Sequence, residues 1–189
     1  MVGRAVAVDL RLADLCAMIR AANLLRSQTM ELDFTAIDHE HFMRGALKEA
    51  EVAFANGERP IGAVVIHDGK IIGRGRADHN GRQSEIAHAE LNALLQAEKY
   101  LHADIHGDSI IYATVEPCVM CLGAIVMSDI DHVVFALPDL WINPRQMLDM
   151  PYVRRHIKNY LGGVLESASV ALWERYSPRE LKMMREGKR

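Results

Sequence analysis

The sequence lacks the cysteine that a disulfide-stabilised fold needs, with only three such residues in 189. It also lacks long hydrophobic runs: the longest, from Cys118 to Met127, is too short for a bilayer, which takes about 20 residues. The N-terminus carries Asp9, Arg11 and Asp14 where a secretory signal peptide needs an uninterrupted apolar segment. These absences predict a chain without a membrane span, in a reducing, cytoplasmic compartment.

Charge of one sign is scarce as well. The formal net charge is −3 at pH 7, so the chain as a whole has no strong attraction to nucleic acid. Half of the residues are apolar and a quarter are charged, which is typical of a globular protein. We find no internal repeat and no low-complexity segment, and the length suits one domain with a full core.

Two short segments concentrate the side chains that can carry chemistry: His88-Ala89-Glu90 and Glu116-Pro117-Cys118-Val119-Met120-Cys121. Two thiols and one imidazole are three zinc ligands, which leaves a fourth position for water, and a free carboxylate can move protons. Cys118 and Cys121 are spaced so that a helix presents both on one face. Pro117 suits a helix start, and the partial positive charge there favours thiolates.

His88 and Glu90 would point away from each other in the middle of a helix. Both can serve one site if His88 lies at a helix start, where the backbone is not yet regular. Leu91, Leu94 and Leu95 form one apolar stripe, which predicts a helix that begins at about this point.

Two other interpretations use the same residues. A structural zinc site would need a fourth ligand elsewhere, because such sites usually close with four protein ligands. A redox dithiol at Cys118 and Cys121 leaves His88 and Glu90 unexplained. The conjunction of His-x-Glu with a later Pro-Cys-x-x-Cys is the known signature of zinc nucleobase deaminases.

The chain resembles the cytidine/deoxycytidylate deaminase superfamily, and within it the branch of tRNA-specific adenosine deaminases, guanine deaminases and fungal-type cytosine deaminases. The resemblance runs from about residue 58 to 136. It rests on Pro60-Ile61-Gly62-Ala63-Val64-Val65, Ala87-His88-Ala89-Glu90 and Thr114-Val115-Glu116-Pro117-Cys118-Val119-Met120-Cys121-Leu122-Gly123-Ala124. It implies that His88, Cys118 and Cys121 bind Zn²⁺ and that Glu90 transfers protons.

Alternating strand and helix patterns predict an α/β fold. The resemblance makes this a three-layer α/β/α sandwich of the cytidine deaminase-like type, with a mixed central sheet of about five strands. We expect helices over 39–56, 90–98, 118–127 and 152–160, a last helix from 167 or 178 to about 184, and strands over 61–67, 70–74, 109–114 and 131–136. An amphipathic helix over 10–25 makes residues 1–29 an N-terminal extension of a deaminase domain over 30–189.

Substrate contacts are harder to assign, because relatives in this branch carry an asparagine where this chain has Ala77. Asp78 follows it directly, and Asn80 lies near it out of register. The other candidates are Ala89, Glu116, which alternatively caps the cysteine helix, and Trp141, which alternatively packs in the core.

The leading hypothesis is hydrolytic deamination of the exocyclic amine of a free nucleobase or nucleoside, with release of ammonia. The main alternative is a tRNA-specific adenosine deaminase, which the weak net charge and the absence of the Lys-x-Gly segment of that branch disfavour. A second alternative is a catalytically silent zinc-binding relative, which Glu90 argues against. The resemblance further implies a homodimer.

Overall fold

The computed structural model describes residues 32–103 and 108–188. The amphipathic helix predicted over 10–25 and the domain boundary at residue 30 lie outside them. The helices are α1 His39–Ala55, α2 His79–Arg82, α3 Ala89–Ala103, α4 Val119–Met127, α5 Pro151–His156, α6 Glu166–Tyr176 and α7 Pro178–Glu186. The strands are β1 Gly62–His67, β2 Lys70–Arg76, β3 Ile110–Val115, β4 His132–Leu137 and β5 Asn159–Leu161, and two 3₁₀ helices cover Phe34–Ala36 and Pro144–Asp149.

The five strands form one sheet in the order β2-β1-β3-β4-β5. Strand β1 pairs antiparallel with both β2 and β3, whereas β3, β4 and β5 run parallel. The sheet is therefore mixed, as predicted. Because β3 and β4 are parallel, the chain must cross over between them, and α4 is that crossover.

Helices cover both faces of the sheet. Ala63 and Val65 of β1 belong to a buried cluster that includes Ala93 of α3 and Ile125 of α4. Val64 points to the opposite face, because successive side chains of a strand alternate, and there it lies against α1. The α/β/α arrangement predicted from the sequence is thereby confirmed.

Local signals placed most boundaries within a few residues. Asp38, a residue type that favours the N-cap position, caps α1: its side chain accepts a hydrogen bond of 2.9 Å from the amide of His41. Between the strand expected over 70–74 and the helix expected over 90–98, the structure adds the last two residues of β2 and the short helix α2. The C-terminal region forms two helices rather than one, divided at Ser177, which caps α7. In the part of the chain that is described, no helix has the length and hydropathy to cross a bilayer.

The helix predicted over 152–160 is wrong in its second half. Helix α5 ends at His156, and Asn159–Leu161 adds a fifth strand beside β4. The amides of Lys158 and Asn159 both donate to the carbonyl of Asp131, which draws the chain to the sheet edge. This strand depends on pairing with a distant segment, so its own residues carry little signal for it.

Gly75 of β2 lets α3 lie directly on the sheet. A Cβ at this position would collide with the backbone carbonyl of Ala89 and the amide of Ala93. The close approach fixes the first turn of α3, which carries Glu90 and directly follows His88, against β2.

Candidate active site

Two helix starts bring the predicted metal-binding side chains together. His88 directly precedes α3, and Cys118 directly precedes α4, whose first turn holds Cys121. His88 Nδ1 lies 3.6 Å from Cys118 Sγ and 3.5 Å from Cys121 Sγ. The three side chains form the one group of three or more potential metal ligands among residues 32–103 and 108–188.

The spacing of these atoms fits a tetrahedral zinc ion. Zinc lies about 2.3 Å from a thiolate sulfur and about 2.0–2.1 Å from an imidazole nitrogen, so tetrahedral geometry separates the two ligands by about 3.5 Å. The two distances between His88 Nδ1 and the sulfurs match this value. The donor set and its spacing thus suit Zn²⁺ without rearrangement.

The two cysteine sulfurs differ in acidity in this arrangement. Hydrogen bonds from Cys121 and His88 lower the pKa of Cys118 to about 4, against the effect of burial. The pKa of Cys121 is raised, because it donates to Cys118 and is buried. The arrangement thus favours the thiolate form of Cys118, and a metal ligand at Cys121 would have to lose its proton on binding.

Glu90 lies beside this group, and its carboxylate is separate from the three ligand atoms. It is only 4% exposed, and burial raises its pKa to about 7. A carboxyl group with a pKa near neutrality can both accept and return a proton at physiological pH, which is the property that a general acid–base catalyst needs.

The site opens into a cavity of about 560 Å³, which falls in the size range of small-molecule pockets. His88, Glu90 and Cys118 lie on its wall. Ala89 and Trp141, two of the predicted substrate contacts, also line the cavity. Ala89 is fully buried, whereas Trp141 is 39% exposed, so the indole is not part of the core.

The structure places the remaining candidates differently. Asp78 and Asn80 do not line this cavity; Asp78 pairs with Arg82 at 3.1 Å and Asn80 is exposed. The residues of this loop that reach the cavity are Ala77 and His79. Asp78 and Asn80 as substrate contacts therefore remain a prediction from the sequence, which the lining of this cavity does not support.

Glu116 borders the cavity but is engaged by the protein. Its Oε1 accepts from Arg145 Nε at 2.8 Å and from the Tyr160 hydroxyl at 3.0 Å. Its Oε2 accepts from the amide of Asp139 at 3.0 Å. The carboxylate thus connects three protein donors and does not cap the cysteine helix, whose N-cap residue is Cys118. Its contact with substrate remains a prediction.

Sequence reasoning missed the wall that the C-terminal helix contributes. Arg179, Glu180 and Met183 of α7 line the cavity, and Glu180 pairs with Arg59 across it at 3.0 Å. The capping pattern Ser-x-x-Glu at Ser177 marked the helix, but nothing local showed what it would cover.

The comparisons agree with this geometry. Residues 37–164 match the family model described as MafB19-like deaminase, which is more than half of the chain. The chain belongs to the MafB19-like deaminase family. Its predicted membership of the cytidine deaminase-like superfamily is confirmed.

Two relatives of this MafB19-like deaminase are described as tRNA-specific adenosine deaminases. The protein from Aquifex aeolicus is 33% identical over 123 residues, which cover 63% of this chain and 82% of the relative. The protein from Streptococcus pyogenes is 40% identical over 107 residues, which cover 55% of this chain. The match spans 65% of the length of the S. pyogenes protein.

A solved structure supports the same fold. It comes from a study of A-to-I editing by tRNA deaminases at the wobble position, and it is 30% identical with a TM-score of 0.63. The match covers 70% of this chain and 98% of that one.

Proposed function

We propose that this protein is a zinc-dependent, tRNA-specific adenosine deaminase that converts adenosine to inosine. The observation that carries the proposal is the group of His88, Cys118 and Cys121, of which His88 and Cys118 lie on the wall of a cavity that also holds the buried carboxyl of Glu90. The relatives described above support tRNA as substrate better than a free nucleobase, which was our leading hypothesis from the sequence.

His88, Cys118 and Cys121 would hold the zinc ion through Nδ1 and the two sulfurs. A zinc ion bound there lowers the pKa of a coordinated water from 15.7 to about 7. Three protein ligands leave a position for that water, which distinguishes a catalytic from a structural site.

Glu90 carries the protons of the reaction. Hydrolysis adds the water oxygen to the ring carbon that bears the amine, and ammonia leaves. Glu90 accepts the first proton of the water and delivers it to the ring nitrogen, and then takes the remaining proton from the added hydroxyl and delivers it to the amine, which leaves as ammonia. Burial keeps this carboxyl out of bulk water, so its proton passes to the substrate rather than to solvent.

Positively charged side chains line the cavity, although the net charge of the whole chain is weakly negative. Arg59 and Arg179 line the cavity. Arg59 is paired with Glu180, whereas Arg179 has no ion-pair partner among the described residues. Its guanidinium can meet a phosphate of an RNA loop whose adenosine is flipped into the cavity.

We also propose that the protein forms a homodimer through an apolar groove beside α3 and α4. Ile86, Leu95 and Met127 line this groove and are 63%, 63% and 72% exposed. Exposed apolar groups grouped in this way are typical of an association surface. A Met127→Lys substitution should shift the mass measured by light scattering to that of a monomer. A dimer that persists in this variant would exclude the groove as its interface.

The cytoplasmic location remains a prediction from cysteine usage.

The test of the proposed function is conversion of adenosine to inosine in an anticodon stem-loop. The zinc-loaded protein is incubated with the stem-loop, with the same RNA carrying guanosine at the target position, and with free adenine, guanine, cytosine, adenosine and cytidine. Nucleoside mass spectrometry and ammonia release are the two readouts. We expect inosine only in the first RNA. Turnover of a free base or nucleoside without RNA turnover would support our initial hypothesis instead.

A further inference from the structure

Two buried side-chain nitrogens lack a hydrogen-bond partner within residues 32–103 and 108–188: Nδ1 of His79 and Nε1 of Trp173. Both residues line the cavity of the candidate active site. A buried polar atom without a partner typically costs about 1–3 kcal/mol. Both residues therefore border the space that a ligand would occupy. Of the two, His79 is the one whose surroundings indicate a role in binding.

Glu58 lies next to the buried side of the His79 ring. This carboxylate is 4% exposed, and its Oε1 accepts from the amides of Asn80 at 2.7 Å and Gly81 at 3.2 Å. Its other oxygen, Oε2, lies 3.7 Å from His79 Nδ1. The distance exceeds that of a hydrogen bond, but the negative charge faces the buried side of the ring. The turn of α2 is thereby fixed with the imidazole directed into the cavity.

This arrangement selects one tautomer of the neutral ring. A lone pair on Nδ1 would be repelled by the Glu58 oxygen, whereas an N–H at Nδ1 is attracted to it. The proton therefore lies on Nδ1, and Nε2 carries the lone pair. Nε2 is not buried and has no partner in the described chain.

His79 is also close to the reacting centre. Its ring centroid lies 5.1 Å from that of His88, with the planes at 63°. Ala77, the other residue of this loop that reaches the cavity, has no polar side chain. His79 is thus the polar group that this loop contributes to the pocket.

We propose that His79 is a specificity-determining residue whose Nε2 accepts a hydrogen bond from the nucleoside substrate. The donor is a ribose hydroxyl or an N–H of the base, and Glu58 acts through His79 as a positioning residue. The inference rests on the proposed function, because it assumes that a nucleoside enters this cavity. Trp173, with its buried N–H, offers no comparable exposed atom.

The experiment compares the zinc-loaded wild-type protein with three variants. His79→Phe keeps an aromatic ring without nitrogen, and His79→Gln places an amide oxygen at a similar reach. His41→Ala is the control, because His41 is an exposed histidine on α1 outside the cavity. For each, we measure kcat and KM on the adenosine stem-loop, the Kd for the same RNA, zinc per chain and the melting temperature.

We expect His79→Phe to raise KM about 3- to 10-fold, the effect of one neutral hydrogen bond, with little change in kcat, since this contact is present before and during the reaction. His79→Gln should recover most of this loss, and His41→Ala should match the wild type. Zinc content should be unchanged throughout. The ¹⁵N shifts of the His79 ring should show the proton on Nδ1, and Glu58→Gln should weaken that preference.

A stem-loop with 2′-deoxyadenosine at the target separates the two donors. If the 2′-hydroxyl is the donor, the deoxy substrate raises KM in the wild type but not in His79→Phe. If an N–H of the base is the donor, His79→Phe raises KM by the same factor for both RNAs. Either result supports the assignment of Nε2 as the acceptor.

Three results would overturn the inference: wild-type KM and Kd in His79→Phe, loss of zinc in His79→Phe, or a proton on Nε2 in the ¹⁵N spectrum. Failure of the proposed function is a separate result. If the wild type makes no inosine, the comparison of Kd values for the RNA still decides whether His79 contacts it.

Discussion

Arg145 forms a bidentate contact with the buried carboxylate of Glu116. Its Nε donates to Oε1 at 2.8 Å and its Nη2 to Oε2 at 3.2 Å. Glu116 has no exposed side-chain surface, whereas Arg145 is 45% exposed. Because Glu116 follows β3 and lies two positions before Cys118, the contact ties the 3₁₀ helix Pro144–Asp149 to the segment that delivers the cysteines. Arginine and carboxylate in this geometry form strong hydrogen bonds.

Replacing Arg145 by methionine should destabilise the fold. The substitution leaves the Glu116 carboxylate buried without its cationic partner, and we expect a loss of about 1–3 kcal/mol in the free energy of unfolding. The control is Arg44→Met, which breaks the pair with Glu40 on the exposed face of α1 and should cost about 0.3–0.5 kcal/mol. Urea unfolding measures both. Equal losses of unfolding free energy in the two variants would show that the buried Arg145 contact stabilises the fold no more than an exposed ion pair does.

Glu90 and Cys118 should fail in different ways. Glu90→Gln keeps the three metal-binding atoms, so zinc per chain should stay at the wild-type level while turnover falls by about 10²–10⁴-fold. Cys118→Ala removes a ligand atom, so it should lose zinc and, with it, thermal stability. Metal analysis, inosine formation and melting curves distinguish the two. Normal turnover in Glu90→Gln would remove this residue from the mechanism.

His39 should make the fold sensitive to acid. Its Nε2 donates to the carbonyl of Phe34 at 3.0 Å and its Nδ1 accepts from the Tyr112 hydroxyl at 2.8 Å. Burial lowers its pKa below 6.5 in the folded state, so below about pH 6.5 the unfolded chain binds more protons. The contribution is complete above that pH and declines as pH falls toward the folded-state pKa.

The matching variant is His39→Gln, which cannot titrate. Denaturant unfolding is measured at a series of pH values from about 8 to about 5, the range over which histidine titrates. On acidification the variant should lose less free energy of unfolding than the wild type. Parallel curves for the two proteins would show that His39 does not contribute to the acid sensitivity.

Gly75→Ala should displace the start of α3. The added Cβ meets backbone atoms of Ala89 and Ala93, which cannot move away without shifting the helix. We expect weaker zinc binding and a lower melting temperature, because His88 lies at that helix start. Gly123→Ala in α4 is the control, since its Cβ would meet nothing within 4 Å, and alanine is the better helix former. Zinc affinity equal in both variants would contradict this account.

Deleting residues 1–29 should leave zinc content and activity intact. Every side chain that forms the described core and candidate site lies at or after residue 32. The zinc stoichiometry and inosine formation of the shortened chain test this domain boundary. Loss of either would place the N-terminal segment within the functional domain.

The sequence by itself determined the features that depend on neighbouring residues. Asp38 as a cap, the helix start after His88 and the helix start after Cys118 follow from side chains within one turn of each boundary. The pattern of His88, Glu90, Cys118 and Cys121 also led to the chemistry that we propose, because that donor set at that spacing is the signature of zinc nucleobase deaminases.

Only the tertiary structure decided what depends on contacts between distant segments. The strand Asn159–Leu161 exists because β4 offers it an edge, and its own residues do not require it. His79 rather than Asn80 faces the cavity because Glu58, remote in sequence, holds the turn. Helix α7 forms a wall of the cavity because Arg59 and the surrounding apolar side chains receive it there. Capping and periodicity report which elements form, whereas the packing of one element on another decides which side chains share a site.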